Sequence, residues 1–226
     1  MAAIKGGNIR PVQILLADDH EVVRKGLRAL LEAQPGWKVI AEATDGRDAV
    51  EKAKDMHPDV AIVDIGMPSL NGLEATRQIV KKAPRTRVLV LTMHDTNPLI
   101  QQVVKAGARG YVLKSDVASD LVSAVEALCR DQTFFTSKVS QIILDRYVGK
   151  ADGVANGPDE DSPLTPRERE IVQLLAEGKS SKEVASVLGI SVKTAETHRI
   201  NLMRKLDCHS VAEVVRYAVR NLIAEA

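Results

Sequence analysis

Aromatic side chains are scarce in this chain, at 3% of 226 residues, and cysteine occurs only twice. Cys129 and Cys208 lie far apart and form no C-x-x-C pair, so no disulfide framework, zinc knuckle or redox motif is written here; they fit reduced thiols packed as small hydrophobes. No uncharged apolar run approaches the roughly 18 to 20 residues that a membrane helix needs. Met1 to Arg10 lacks the apolar centre of a signal peptide, so the expected location is cytoplasmic, with no membrane partner. Also missing is a G-x-G-x-x-G turn after the first apolar run, which argues against a dinucleotide module. What is present, 45% hydrophobic and 27% charged residues with a net charge of +1, is the composition of an ordinary globular protein. The length exceeds the ~100 to 200 residues of a typical domain and predicts two compact units. Their join is marked by ADGVANGPDEDSP, 151–163, which has Asp152, Asp159, Glu160 and Asp161, no lysine or arginine, and little apolar content: a solvated linker.

Before the linker, short β-branched runs alternate with amphipathic segments. The runs are VQILLAD from Val12, WKVIAEA from Trp37, DVAIVD from Asp59, RVLVLT from Arg87 and GYVLK from Gly110. Between them, EVVRKGLRALLE places Val23, Leu27, Leu30 and Leu31 at helical spacing, and Asp45 is set to cap DGRDAVEKAKDM. Such alternation predicts an α/β fold, a doubly wound five-stranded parallel sheet with helices on both faces. Ligands in such sheets sit beyond the carboxyl ends of the strands. There the sequence ends its strands in polar groups that a core has no use for: Asp18 and Asp19, Asp64, Thr92 and Lys114.

Carboxylates about 4 Å apart repel by ~4 kcal/mol per pair at an effective dielectric of 20, so this rim calls for a cation. Magnesium suits it, a hard ion held by a few carboxylates that leaves positions open for water and phosphate oxygens. Asp64 is then placed to act as a nucleophile toward phosphorus, Lys114 to neutralise a phosphoryl oxygen and Thr92 to donate to another.

With the D-x-x-M-P of Asp64 to Pro68 and the G-Y-V-L-K ending at Lys114, these residues resemble the flavodoxin-like receiver domain of two-component response regulators over about Val12 to Arg130. The resemblance implies that Asp64 accepts phosphate from a sensor histidine kinase and that Asp18, Asp19 and Asp64, with the backbone carbonyl of Gly66, hold Mg2+. It also implies that Thr92 and Tyr111 form a switch. Two departures stand out. Ser115 follows Lys114 where many receivers have a proline after a cis bond, leaving that bond's isomer open. Gly66 and His94 occupy positions resembling those that control water access to the phosphoryl group, and are expected to set its lifetime.

After Arg130, Val139, Ile142, Ile143 and Tyr147 share a stripe that predicts a helix leading into the linker. Beyond it, helix-start signals crowd together: Thr165 with Pro166 and Glu168, Ser180 with Glu183, then Ser191. Gly178 and Gly189 suit helix ends. Two short helices about a tight turn make a helix-turn-helix, and from Val192 to Lys205 four lysines or arginines stand against one glutamate. LTPREREIVQLLAEGKSSKEVASVLGISVKTAETHRINLMRKL is similar to the DNA-binding domain of LuxR-type regulators, with Ala195 and Ser181 where valine and asparagine are common. By that similarity Lys193, Thr194, Thr197, His198 and Arg199 face the groove of double-stranded DNA and Lys205 meets its backbone. The last helix, with Val211, Val214, Val215 and Ala218 on one side, is expected to pair two copies as a homodimer.

The organisation expected is a tail at 1–10, a receiver at 11–131, a linker helix and acidic linker at 132–163, and a small all-α helix-turn-helix domain at 164–226. The function expected is a response regulator of the LuxR-type (NarL/FixJ) subfamily that controls transcription. It is not an enzyme beyond self-phosphorylation and autodephosphorylation at Asp64. A phosphatase with an Asp nucleophile is the rival, opposed by Gly66 where a second carboxylate is needed; a constitutive DNA-binding protein is another.

Overall fold

The computed structural model describes residues 10–136, 139–141 and 163–224. Strands β1 (Val12–Ala17), β2 (Trp37–Ala43), β3 (Val60–Asp64), β4 (Arg87–Thr92) and β5 (Gly110–Leu113) form one parallel sheet in the order β2-β1-β3-β4-β5. Helices α1 (Glu21–Glu32), α2 (Gly46–Met56), α3 (Gly72–Lys82), α4 (Asn97–Lys105) and α5 (Val117–Cys129) connect and follow them. Side chains alternate across the central strands, so each feeds two cores. Leu15, Ala61, Val63, Val88 and Val90 pack with α2, α3 and α4, while Ile14, Leu16, Ile62, Leu89 and Leu91 pack with α1 and α5. Each fully buried aliphatic side chain contributes about 1.5–3 kcal/mol. Asp45 caps α2 by accepting from the Arg47 and Asp48 amides.

After α5 the chain adds a short extension to the sheet. The Tyr111 amide donates to the Phe134 carbonyl (3.0 Å) and the Phe134 amide to that of Arg109 (2.9 Å). Val139 is buried against the first of the two cores. The rest of the expected stripe, Ile142, Ile143 and Tyr147, lies outside the described residues, as does the acidic linker up to residue 162.

The second unit is helical: α6 (Pro166–Ala176), α7 (Ser181–Leu188), α8 (Val192–Lys205) and α9 (Val211–Arg220). Reciprocal capping boxes at Thr165/Glu168 and Ser180/Glu183 start α6 and α7, Ser191 caps α8, and Gly189, at φ +63°, ends α7. Its core gathers Ile171, Leu174, Val184, Leu202, Val214 and Ala218. Among the described residues, no helix is long and apolar enough to cross a membrane.

Candidate functional site

Because all five strands run the same way, the residues that close them share one edge. Asp18 follows β1 at 1% exposure and Asp64 closes β3 at 4%. Lys114, directly after β5, places Nζ 2.8 Å from Asp18 Oδ2 and 2.9 Å from Asp64 Oδ2. The His20 amide donates to Asp18 Oδ1 (2.8 Å) and Arg24 Nη1 to the Asp18 carbonyl (2.8 Å), fixing the turn that presents both aspartates. On the far side α3 begins almost on top of Asp64, since a Cβ on Gly72 would stand 2.0 Å from the Asp64 carbonyl oxygen.

Charge balance at this rim is incomplete. Burial raises the Asp64 pKa above the ordinary aspartate value, Asp18 and Asp19 push the same way, and the Lys114 ammonium only partly opposes them. Burial by itself would lower the Lys114 pKa, but its hydrogen bonds to Asp18 and Asp64 outweigh that and raise it. Candidate ligand atoms of Asp18, Asp19, His20 and Asp64 lie within 4.8 Å of one another. Asp18 Oδ2 and Asp19 Oδ1, both buried, make no well-aligned hydrogen bond; their close neighbours are the Lys114 ammonium at 2.8 Å and His20 Nδ1 at 2.8 Å. An oxygen-rich, under-compensated donor set of this kind fits a hard divalent cation. His20 was not anticipated; its place immediately after Asp19 is the signal that was available.

Thr92, at the end of β4, accepts from the His94 amide (3.1 Å), and the Tyr111 hydroxyl donates to the His94 carbonyl (2.7 Å). The Tyr111 ring is 1% exposed, and burial, with Asp95 nearby, raises its pKa. Thr92 and Tyr111 thus meet through one residue, His94, which is itself exposed. The Lys114–Ser115 bond is trans. A cavity of about 440 Å³ opens beside the rim, lined by Asp19, Gly66, Thr92 and His94 on one side and by Gln173 and Ile223 of the helical unit on the other.

In the helical unit, Ala195 and Leu202 turn α8 toward its core. Lys193, Thr194 and Thr197 are exposed, as are Ile200, Asn201 and Arg204, which the sequence reading did not assign to DNA. His198 and Arg199 are half-buried, on the flanks of the face that packs inward rather than at the centre of the open one. Lys205 Nζ is held by Glu168 at 2.7 Å. The expected pairing face on α9 needs correction. Val214 and Ala218 are fully enclosed because α9 packs them against α6, and of that set only Val211, exposed, and Val215, half-buried, reach the surface.

The two units touch through buried polar contacts. Arg169 Nε lies 3.2 Å from Glu74 Oε2. Glu170 accepts from Arg47 (2.9 Å), Gln78 (3.0 Å) and Arg167 (2.8 Å), and although burial opposes it, the Arg47 and Arg167 guanidiniums, Arg47 foremost, lower its pKa. Gln173 accepts from the Asn71 amide (2.7 Å) and donates to the Met67 carbonyl (3.1 Å), while Asn71 Nδ2 donates to the Ile223 carbonyl (2.8 Å). In the sequence Arg169, Glu170 and Gln173 resemble the solvent face of an amphipathic helix, so nothing local could have revealed their burial.

Comparison with known proteins places this geometry. Residues 14–126 match the family model of the response regulator receiver domain and residues 162–218 that of the bacterial regulatory proteins of the luxR family. The chain is 39% identical over 210 residues to the transcriptional regulatory protein LiaR of Bacillus subtilis, covering 93% of this chain and 98% of that one. It is 37% identical over 217 residues to the oxygen regulatory protein NreC of Staphylococcus epidermidis, covering 95% and 100%. Among solved structures, RcsB of Salmonella enterica serovar Typhimurium, bound to the promoter rprA in the presence of the phosphomimetic BeF3-, aligns with TM-score 0.57 and 27% identity over 92% of this chain and 98% of that one.

Proposed function

Since the chain belongs to the two-component response regulators with a LuxR-type DNA-binding domain, a family of transcription regulators rather than classical enzymes, we propose that Asp64 is its phosphoacceptor. A sensor histidine kinase is the donor, and occupancy of Asp64 governs binding to promoter DNA in the cytoplasm. The receiver spans about 11–131 and the DNA-binding unit 164–226, joined by 132–163. The observation that carries this reading is the pair of buried carboxylates, Asp18 and Asp64, sharing one ammonium within 2.9 Å at the sheet edge.

In the transfer, an Asp64 carboxylate oxygen forms a bond to phosphorus as the bond from phosphorus to the donor imidazole nitrogen breaks. The electron pair leaves with that nitrogen. Lys114 meets a phosphoryl oxygen with its ammonium, and the Thr92 hydroxyl, now accepting from the His94 amide, turns to donate to another. Asp18, Asp19 and Asp64, with the Gly66 carbonyl, would hold magnesium, which when bound supplies the positive charge this acidic rim lacks. The same arrangement supports phosphorylation by small acyl phosphates and slow autodephosphorylation.

Incubation with an acyl phosphate and magnesium should add one phosphoryl group to the intact mass of the wild type and none to Asp64→Asn. Sustained turnover of a generic phosphate ester would instead favour the phosphatase reading. DNA binding should be tighter with beryllofluoride than without, and Lys205→Ala should reduce the salt slope by about one unit. Two copies pair when phosphorylated or DNA-bound, using Val211 and Val215; Val211→Glu should weaken operator binding, and unchanged affinity would rule that face out.

A further inference from the structure

The outward face of α8 is not uniformly polar. Lys193, Thr197, Ile200 and Arg204 follow one another at helical spacing, on the side of the helix away from Ala195 and Leu202. Ile200, in this stripe, is 66% exposed. Thr197 adds to its apolar character, because its hydroxyl donates to the Lys193 carbonyl (2.9 Å), which commits the proton to the helix's own backbone. Asn201, alongside, is likewise engaged, accepting from Arg204 (3.1 Å). A single exposed isoleucine on a protein surface is ordinary; this one sits between two cations on the face that the DNA-binding reading turns toward the major groove.

The major groove offers donors, acceptors and one apolar group, the 5-methyl of thymine. We propose that Ile200, supported by Thr197, reads that methyl group and is a specificity-determining residue for the operator, with Lys193 and Arg204 supplying the flanking contacts to acceptors and phosphates. This rests on the DNA-binding function above. It selects thymine over cytosine and over uracil at the same place, a discrimination that hydrogen bonding cannot supply for uracil because thymine and uracil differ in the methyl alone.

The test uses the full chain with magnesium and beryllofluoride. Duplexes are selected from a random pool, and the thymines of the recovered site are replaced one at a time by uracil. Wild type should lose about four-fold in affinity at one or two positions in each half-site, the factor expected of one buried methyl. Ile200→Ala should bind the thymine duplex more weakly by a similar factor and be indifferent to uracil there, while Ile200→Val retains part of the discrimination. If every thymine can be replaced without loss, or if the uracil penalty is the same in wild type and Ile200→Ala, the inference is overturned. A uniform loss in Ile200→Ala on all duplexes overturns it too, and points to a contact with protein instead. Recovery of no specific duplex at all would strike the DNA-binding reading itself, a distinguishable failure.

Discussion

A carboxyl group 4% exposed, with two further carboxylates inside ligand distance and one ammonium to share, is less readily ionised than in water, and the raised pKa of Asp64 expresses that imbalance, burial foremost. A raised acid favours the folded state below its unfolded value, and that advantage disappears as pH rises through the folded value. At neutral pH the ionised Asp64 therefore costs stability. Asp64→Asn, nearly isosteric, should melt above the wild type at pH 7 in the absence of divalent ions, by about 2–4 °C for each ~1 kcal/mol relieved. The difference should shrink toward pH 4, and millimolar magnesium should raise the wild-type midpoint more than the variant's; thermal unfolding across pH checks all three. His94 touches both Thr92 and Tyr111 through its backbone but presents an exposed side chain to the cavity. His94→Ala should therefore change the decay rate of the phosphoprotein while leaving the fold's midpoint within ~0.5 kcal/mol, the range of ordinary surface substitutions.

At the scale of elements, two glycines in helices behave oppositely for stated reasons. Gly72 opens α3 against the Asp64 carbonyl, and a Cβ there would meet that oxygen at 2.0 Å, far inside contact distance. Gly26 lies within α1 with nothing within 4 Å of where its Cβ would be. Gly72→Ala should destabilise the receiver severely and displace the phosphoacceptor loop, whereas Gly26→Ala should stabilise by ~0.5–1 kcal/mol; chemical denaturation of the two variants decides it. Only the second effect follows from propensity. The strands were legible because parallel strands buried on both faces need continuous β-branched runs, and the capping boxes were legible because their hydrogen bonds are local. Val214 and Ala218 misled because a helix's apolar stripe says that something covers it without saying what. Phe134 carried no strand signal in the sequence, because pairing beside β5 leaves no period in so short a stretch.

At the scale of the whole molecule, the receiver leaves the outward face of α8 open and instead grips α6 and the turn after α9, through Glu74–Arg169, the Glu170 cluster and the Asn71–Gln173 pair. These contacts begin three residues beyond Asp64, at Met67, and the cavity beside the phosphoacceptor rim is walled partly by the helical unit. Removing one partner of a buried ion pair costs ~3–5 kcal/mol as long as the other stays buried, so Glu74→Ala should favour separation, which returns Arg169 to water. A chain of this length packed as one body has a radius of gyration of about 17 Å, and small-angle scattering of Glu74→Ala should exceed the wild type by several ångströms while each unit's secondary structure persists. Glu170, with its lowered pKa, adds a pH dependence: its contribution is complete above the ordinary glutamate value of 4.5 and is lost as pH falls through the depressed one. The wild-type radius should accordingly stay flat from pH 7 down to about 4.5 and rise as pH falls further, through the depressed value. Phosphorylation of Asp64 is expected to act on the same contact from the other side. It would add about −1.5 to −2 charge beside a cavity lined by Glu177 and by apolar Leu222 and Ile223, disfavouring the closed arrangement. Beryllofluoride with magnesium should therefore expand the wild type at pH 7 and leave Asp64→Asn unchanged; an equal response in both would separate the phosphoacceptor from the interdomain contact.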